Sequence, residues 1–200
     1  MFTEAKFNSW FPNKNAIYTY DSFLKAVAKF PAFCNEGNTI TAGEACKREL
    51  AALFSHIHHE SDGLNQLEDP VCKNSISEAD CGFKTAGVTS PATSFFYERG
   101  PLALKGDTEY AAFSKAFYEG YDRSEELLSH PNRVSDDGYF GFSSALWKFM
   151  VPKKSEPSAH NVMTGFYVPN GADLQAGHTA GFGTTIQIMD ETYCGSGTRH

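Results

Sequence analysis

Leu53–Gly63 reads LFSHIHHESDG, placing His56, His58, His59, Glu60 and Asp62 at the end of an apolar run. Three readings are open to such a set: a metal site, a carboxylate that moves a proton, or an ordinary polar helix end. A metal site needs two ligands on one helix face, at the i, i+4 spacing of the HEXXH pattern. The candidates here are His56 with Glu60, or His56 with His59, and the latter two diverge by about 60° around a helix. His130, His160, His178 and His200 add no ligand spacing, so no metal site is expected.

Proton transfer makes a different demand. On a helix through residue 60, Leu50, Leu53, Phe54 and Ile57 centre an apolar stripe. Glu60 lies about 80° from that centre, at the margin between core and solvent. A carboxyl group at such a margin is partly desolvated, the condition that lets it hold a proton near neutral pH. Gly63 is placed to end the helix. The second carboxylate that acid–base chemistry requires is offered by GLNQLEDPVC, with Glu68 and Asp69 adjacent. Two carboxylates about 6.5–9.5 Å apart can flank a glycosidic bond with a water between, which inverts the anomeric carbon.

The elements that must hold these residues are helical. Tyr20-Asp21-Ser22 precedes FLKAVAKF, whose Phe23, Leu24, Val27 and Phe30 form one face before Pro31. A second helix is expected over about 44–60, a third over 108–118, a fourth over 125–128 and a fifth over 140–151 before Pro152. A short helix is expected near 160–165, and GFGTTIQIMD fits helix or strand by pattern alone. Residues 61–94 are polar and rich in turn formers, a length that in a compact domain signals function or disorder. Trp10 falls in an N-terminal segment expected to be mobile. The chain reads as one mainly α domain with long loops.

Composition narrows the function. The chain has 200 residues, 41% apolar and 20% charged, so it is globular. A formal charge of −7, with no basic run longer than a pair such as Lys153-Lys154, argues against nucleic acid as partner. No apolar run approaches the ~18 residues of a membrane span, and the opening MFTEAKFNSWFPNKN lacks a signal-peptide core. Cys34–Cys46 and Cys72–Cys81 have the close spacing of small disulfide loops, which implies an oxidising compartment and leaves Cys194 over. Aromatics at 14% serve either a core or flat ligands such as sugar rings.

Several segments, in order, resemble the family 19 glycoside hydrolases, the lysozyme-like chitinases of plants and some bacteria. YTYDSFLKAVAKFP is similar to the first family helix, and KRELAALFSHIHHESDGL to the helix ending His-Glu-Thr-Gly-Gly. FFYERGPLAL resembles Tyr-Tyr-Gly-Arg-Gly-Pro-Ile-Gln-Leu, and ALWKFMVP, EPSAHNVMTGFYVPNGADLQAG and GFGTTIQIMD follow in family order. The resemblance implies a two-lobed helical domain over residues 18–200, after an extension at 1–17, with a substrate groove between the lobes. It implies inverting hydrolysis of β-1,4-N-acetylglucosamine polymers by a secreted monomer that needs no metal or cofactor. Glu60 takes the place of the general acid. For the base, an ungapped count favours Asp69 and residue type favours Glu68; Glu68 is preferred.

Substrate contacts are expected at Tyr97, Arg99, Lys105 and Tyr110, and here the sequence departs from the family pattern. Ala103 stands for a Gln, Lys105 for a water-holding Ser, Asp107 and Glu109 for two Asn, and Glu98 for a Gly. Lys105 is expected near the base, and Asp107 with Glu109 offers a rebuilt water site. The chain stops before the family's final helix, which would account for unpaired Cys194. A second expectation follows from these changes: a chitinase-like protein that binds oligosaccharides without efficient turnover.

Overall fold

The computed structural model describes residues 2–74, 77–119, 123, 125–153, 156–175 and 177–189. Cys194 lies outside them. Twelve helices form among the described residues: α1 Glu4–Trp10, α2 Tyr20–Val27, α3 Ala42–Glu60, α4 Pro70–Asn74, α5 Glu78–Cys81 and α6 Asp107–Phe117. They continue with α7 Glu126–Ser129, α8 Arg133–Asp136, α9 Gly138–Met150, α10 Ala159–Thr164, α11 Gly171–Gln175 and α12 Phe182–Met189. The expected mainly α fold is the one found. Its extended pairing, among the described residues, is two isolated bridges, Glu68 with Arg99 and Arg99 with Leu104. No described helix is long and apolar enough to cross a membrane.

The chain divides into two compact units, one of Met1–Ala26 with Ile57–Ala145 and the other of Val27–His56 with Leu146–His200. The first has an aromatic centre. Phe142 packs edge-on against Tyr18 at 5.1 Å and Phe23 at 5.4 Å, and Phe7 stacks on Phe23 at 6.2 Å. The N-terminal segment is therefore not the loose end expected from its position. Thr3 caps α1 by accepting the Lys6 N–H, and Phe7 and Phe11 are buried, which anchors the exposed Trp10. Gly138 permits a close crossing, because a Cβ there would lie 2.0 Å from the Ile17 carbonyl oxygen. Much of the aromatic excess is thus core.

The second unit carries the disulfide Cys34–Cys46 and a buried polar pair. His160 Nδ1 lies 2.6 Å from Glu49 Oε1, and Glu49 Oε2 accepts the Cys34 N–H at 2.9 Å. A carboxylate as fully buried as Glu49 is tolerable only with partners of this kind. Ser158 caps α10, and Gly165 leaves it in the left-handed conformation. The ambiguous GFGTTIQIMD segment is helical, with Thr184, Thr185 and Ile188 buried.

Candidate active site

The stretch that opened the question of function is the last turn of α3. Leu53, Phe54 and Ile57 are buried, His59 is exposed, and Glu60 is half-buried at the margin, as the helical count requires. Three residues in left-handed backbone follow: Asp62 at φ 49°, Gly63 at 64° and Leu64 at 68°. The Gly63 N–H returns to the His58 carbonyl at 3.0 Å. Ser61 Oγ donates to the Ile57 carbonyl and accepts the Leu64 N–H. The chain thus reverses immediately after Glu60.

The histidines go elsewhere. His56 Nε2 meets Thr185 Oγ1 at 2.9 Å in the second unit, and His58 stacks on Phe11 in the first. Among the described residues, no three His, Cys, Asp or Glu are arranged to hold a metal ion.

Glu60, Glu68, Asp69, Glu98, Gly100 and Ala103 line one pocket of about 290 Å³, formed wholly within the first unit. The two adjacent loop carboxylates have different surroundings. Glu68 accepts the Tyr97 hydroxyl at 2.9 Å on Oε2 and pairs with Lys73 at 3.0 Å on Oε1. Arg99 Nε faces Glu68 Oε2 at 3.5 Å, an ion-pair distance too long for a hydrogen bond. Asp69 Oδ1 accepts the N–H groups of Val71 and Cys72 and so caps α4. Its Oδ2 has no protein partner among the described residues.

Arg99 ties the segment together and is only 2% exposed. Its Nη1 donates to the carbonyls of Phe95 and Tyr97 and to the Tyr110 hydroxyl, while its guanidinium lies 3.6 Å from the Tyr97 ring centre. Gly100 turns the chain at φ 79°, where a Cβ would approach Val134 Cγ1 to 2.9 Å. Burial raises the Tyr97 phenol above its ordinary range; Arg99 opposes this, and the bond to Glu68 adds to it. Burial likewise raises Tyr110. Both hydroxyls therefore stay protonated and able to donate at neutral pH.

The same contacts define the surroundings of the residues expected to touch substrate. Tyr110 is wholly buried and Tyr97 and Arg99 nearly so; Tyr97 and Arg99 support Glu68, and both also line a second pocket with Phe95, His130 and Arg133. Sequence places aromatic and cationic residues beside a motif without saying which way an irregular backbone turns them. Lys105 Nζ pairs with Glu98 at 2.9 Å over the Phe83 ring. Asp107 accepts the Thr85 N–H and is buried, and Glu109 accepts the Lys105 N–H, so both brace backbone. Glu98, which sequence reading treated only as a departure, is a fourth carboxylate of the pocket. Its neighbours on both sides, Tyr97 and Arg99, are buried and Glu98 is not, and no sequence period marks that difference.

Replacing Arg99 with Met would leave three acceptors and Glu68 short of a partner. A loss of about 3–5 kcal/mol in unfolding free energy is expected, as for other broken buried pairs. Urea unfolding measures it, and a loss below about 1 kcal/mol would contradict this account of Arg99.

The two predicted disulfides, Cys34–Cys46 and Cys72–Cys81, both form. The second joins α4 to α5 beside the buried Tyr97.

The sequence matches the family described as Chitinase class I over residues 5–200. It is 34% identical over 201 residues to Chitinase 8 of Oryza sativa subsp. japonica, covering 94% of this chain and 69% of the rice protein. It is 31% identical over 213 residues to the Basic endochitinase of Vitis vinifera, covering 98% of this chain and 65% of that protein. The chain therefore spans about two thirds of the length of these relatives. The fold matches the crystal structure of chitinase C from Streptomyces griseus with a TM-score of 0.74 at 29% identity, over 98% of this chain and 68% of that one. A helix-end carboxylate facing a second acidic loop, on this fold and in this order of segments, places the chain in the family 19 glycoside hydrolases.

Proposed function

We propose that the protein is an inverting endo-chitinase that cleaves β-1,4 linkages between N-acetylglucosamine units. The observation that carries the reading is the meeting of Glu60 with Glu68 and Asp69 in one pocket at the end of α3. Glu60 protonates the leaving glycosidic oxygen, and a loop carboxylate takes a proton from the water that attacks from the opposite face. Residue type favoured Glu68 as that base; the bonding pattern supports Asp69, whose Oδ2 is open while Glu68 accepts from Tyr97 and pairs with Lys73 and Arg99. The chemistry calls for no cofactor. The two disulfides support a secreted protein, and a single copy supplies all the named residues.

A second reading, oligosaccharide binding without efficient turnover, is favoured by Ala103, whose methyl group gives the pocket wall no hydrogen-bonding side chain. The deciding experiment is early-time NMR of products from a chitin hexamer. The α-anomer is expected at first, mutarotating later; β-anomer would overturn inversion. Calorimetric binding of the hexamer without any cleavage would instead establish the second reading.

A further inference from the structure

Glu98 stands opposite Asp69. The Asp69 N–H donates to the Glu98 carbonyl at 2.9 Å, one step from the antiparallel bridge between Glu68 and Arg99. Residues directly opposite in such a pair carry their side chains on one face, with Cβ atoms about 4.5–5.5 Å apart. Neighbours along each strand point the other way. Asp69 and Glu98 therefore share a face and line the pocket with Glu60 and Glu68, of which Glu68 is held by Arg99. Carboxylates on one face repel unless one is neutralised, and Lys105 pairs with Glu98 through Oε1. Lys105 is itself fixed, by the Phe83 ring under its ammonium and by Glu109 at its backbone N–H. Glu98 Oε2 has no protein donor among the described residues, so the pair leaves one acceptor held in place on the pocket wall.

We propose that Glu98 orients the attacking water: its Oε2 accepts one water proton while Asp69 Oδ2 accepts the other, and Lys105 holds Glu98 in position. With both protons committed, the water's lone pairs face away from the two carboxylates, toward the anomeric carbon. In the reaction the water oxygen bonds to that carbon as the glycosidic C–O bond breaks. The leaving oxygen takes the proton of Glu60, and one water proton passes to Asp69. The other stays on oxygen as the new anomeric hydroxyl, still bonded to Glu98. The inference rests on the hydrolase reading above. It assigns a role to two residues, Glu98 and Lys105, that act as one unit.

Such positioning acts in the transition state and not on substrate affinity, so it predicts a split between kcat and KM. On the chitin hexamer, Glu98→Ala should lower kcat about 10- to 100-fold with KM changed less than about 3-fold. Glu98→Gln, which keeps an acceptor oxygen, should lose less. Lys105→Met should lower kcat several-fold alone and add nothing to Glu98→Ala. Because the pair is exposed, it contributes little to stability, and melting temperatures should hold. An unchanged kcat in Glu98→Ala, additive losses in the double variant, or a change in KM alone would overturn the proposal. Absence of turnover in the wild type would instead remove the hydrolase reading beneath it.

Discussion

Glu60→Gln should reduce hydrolysis of the chitin hexamer by about 10²–10⁴-fold, the usual contribution of a positioned general acid. Gln keeps the length and polarity of the side chain but has no proton to give to a leaving alkoxide. Hexamer binding should persist, since the loss falls on the transition state. An aryl glycoside with an acidic phenol as leaving group needs less help from an acid. The variant should therefore recover most of its deficit on that substrate. Comparing the two substrates separates loss of an acid from general damage to the pocket. Equal losses on both, or a loss under about 10-fold on the hexamer, would remove Glu60 from the acid's role.

Asp69→Asn should be similarly damaging, about 10²–10⁴-fold, for the complementary reason that the water then has no base. Asn retains a side-chain oxygen able to accept from Val71 and Cys72, so the cap of α4 survives and the measurement reports chemistry. Azide is a nucleophile that needs no deprotonation. It should restore glycosyl transfer to Asp69→Asn and give the α-glycosyl azide. Glu68→Gln should behave otherwise. It weakens the charge partner of the buried Arg99, so its main effect should be a lowered unfolding free energy, with no rescue by azide. Rescue of Glu68→Gln but not of Asp69→Asn would give the base to Glu68.

Where a period or a fixed spacing governed the outcome, the sequence was readable. The i, i+3, i+4, i+7 stripe of α3 and the glycine three residues beyond Glu60 led to the helix end that carries Glu60. Both short disulfide loops followed from spacing alone. The region from Phe95 to Lys105 has no such period. Its course depends on Gly100 and on Ala103, a non-glycine residue held at φ 48°, and together they fold Lys105 back onto Glu98. Only when that reversal is known do Tyr97, Arg99 and Tyr110 turn inward and Glu98 outward. The ordered N-terminus was hidden for a similar reason: Phe7 becomes core by meeting Phe142, a contact between residues far apart in the chain. Asp69 and Glu68 are chemically alike in sequence, and only their donors distinguish them.

Arg99 pairs with Glu68 on one side and Leu104 on the other, which joins the two chain segments leaving the pocket. Everything between those segments, including α4, α5 and the Cys72–Cys81 loop, is closed off as an excursion whose length does not set the position of the acidic loop. The turn between Glu60 and Glu68 has no such freedom, since its left-handed residues fix the reach from one carboxylate to the other. The protein thus has one segment where evolution or an engineer can lengthen, shorten or graft chain, around residues 86–91, and another, residues 61–67, where a single inserted residue would put the two carboxylates out of register.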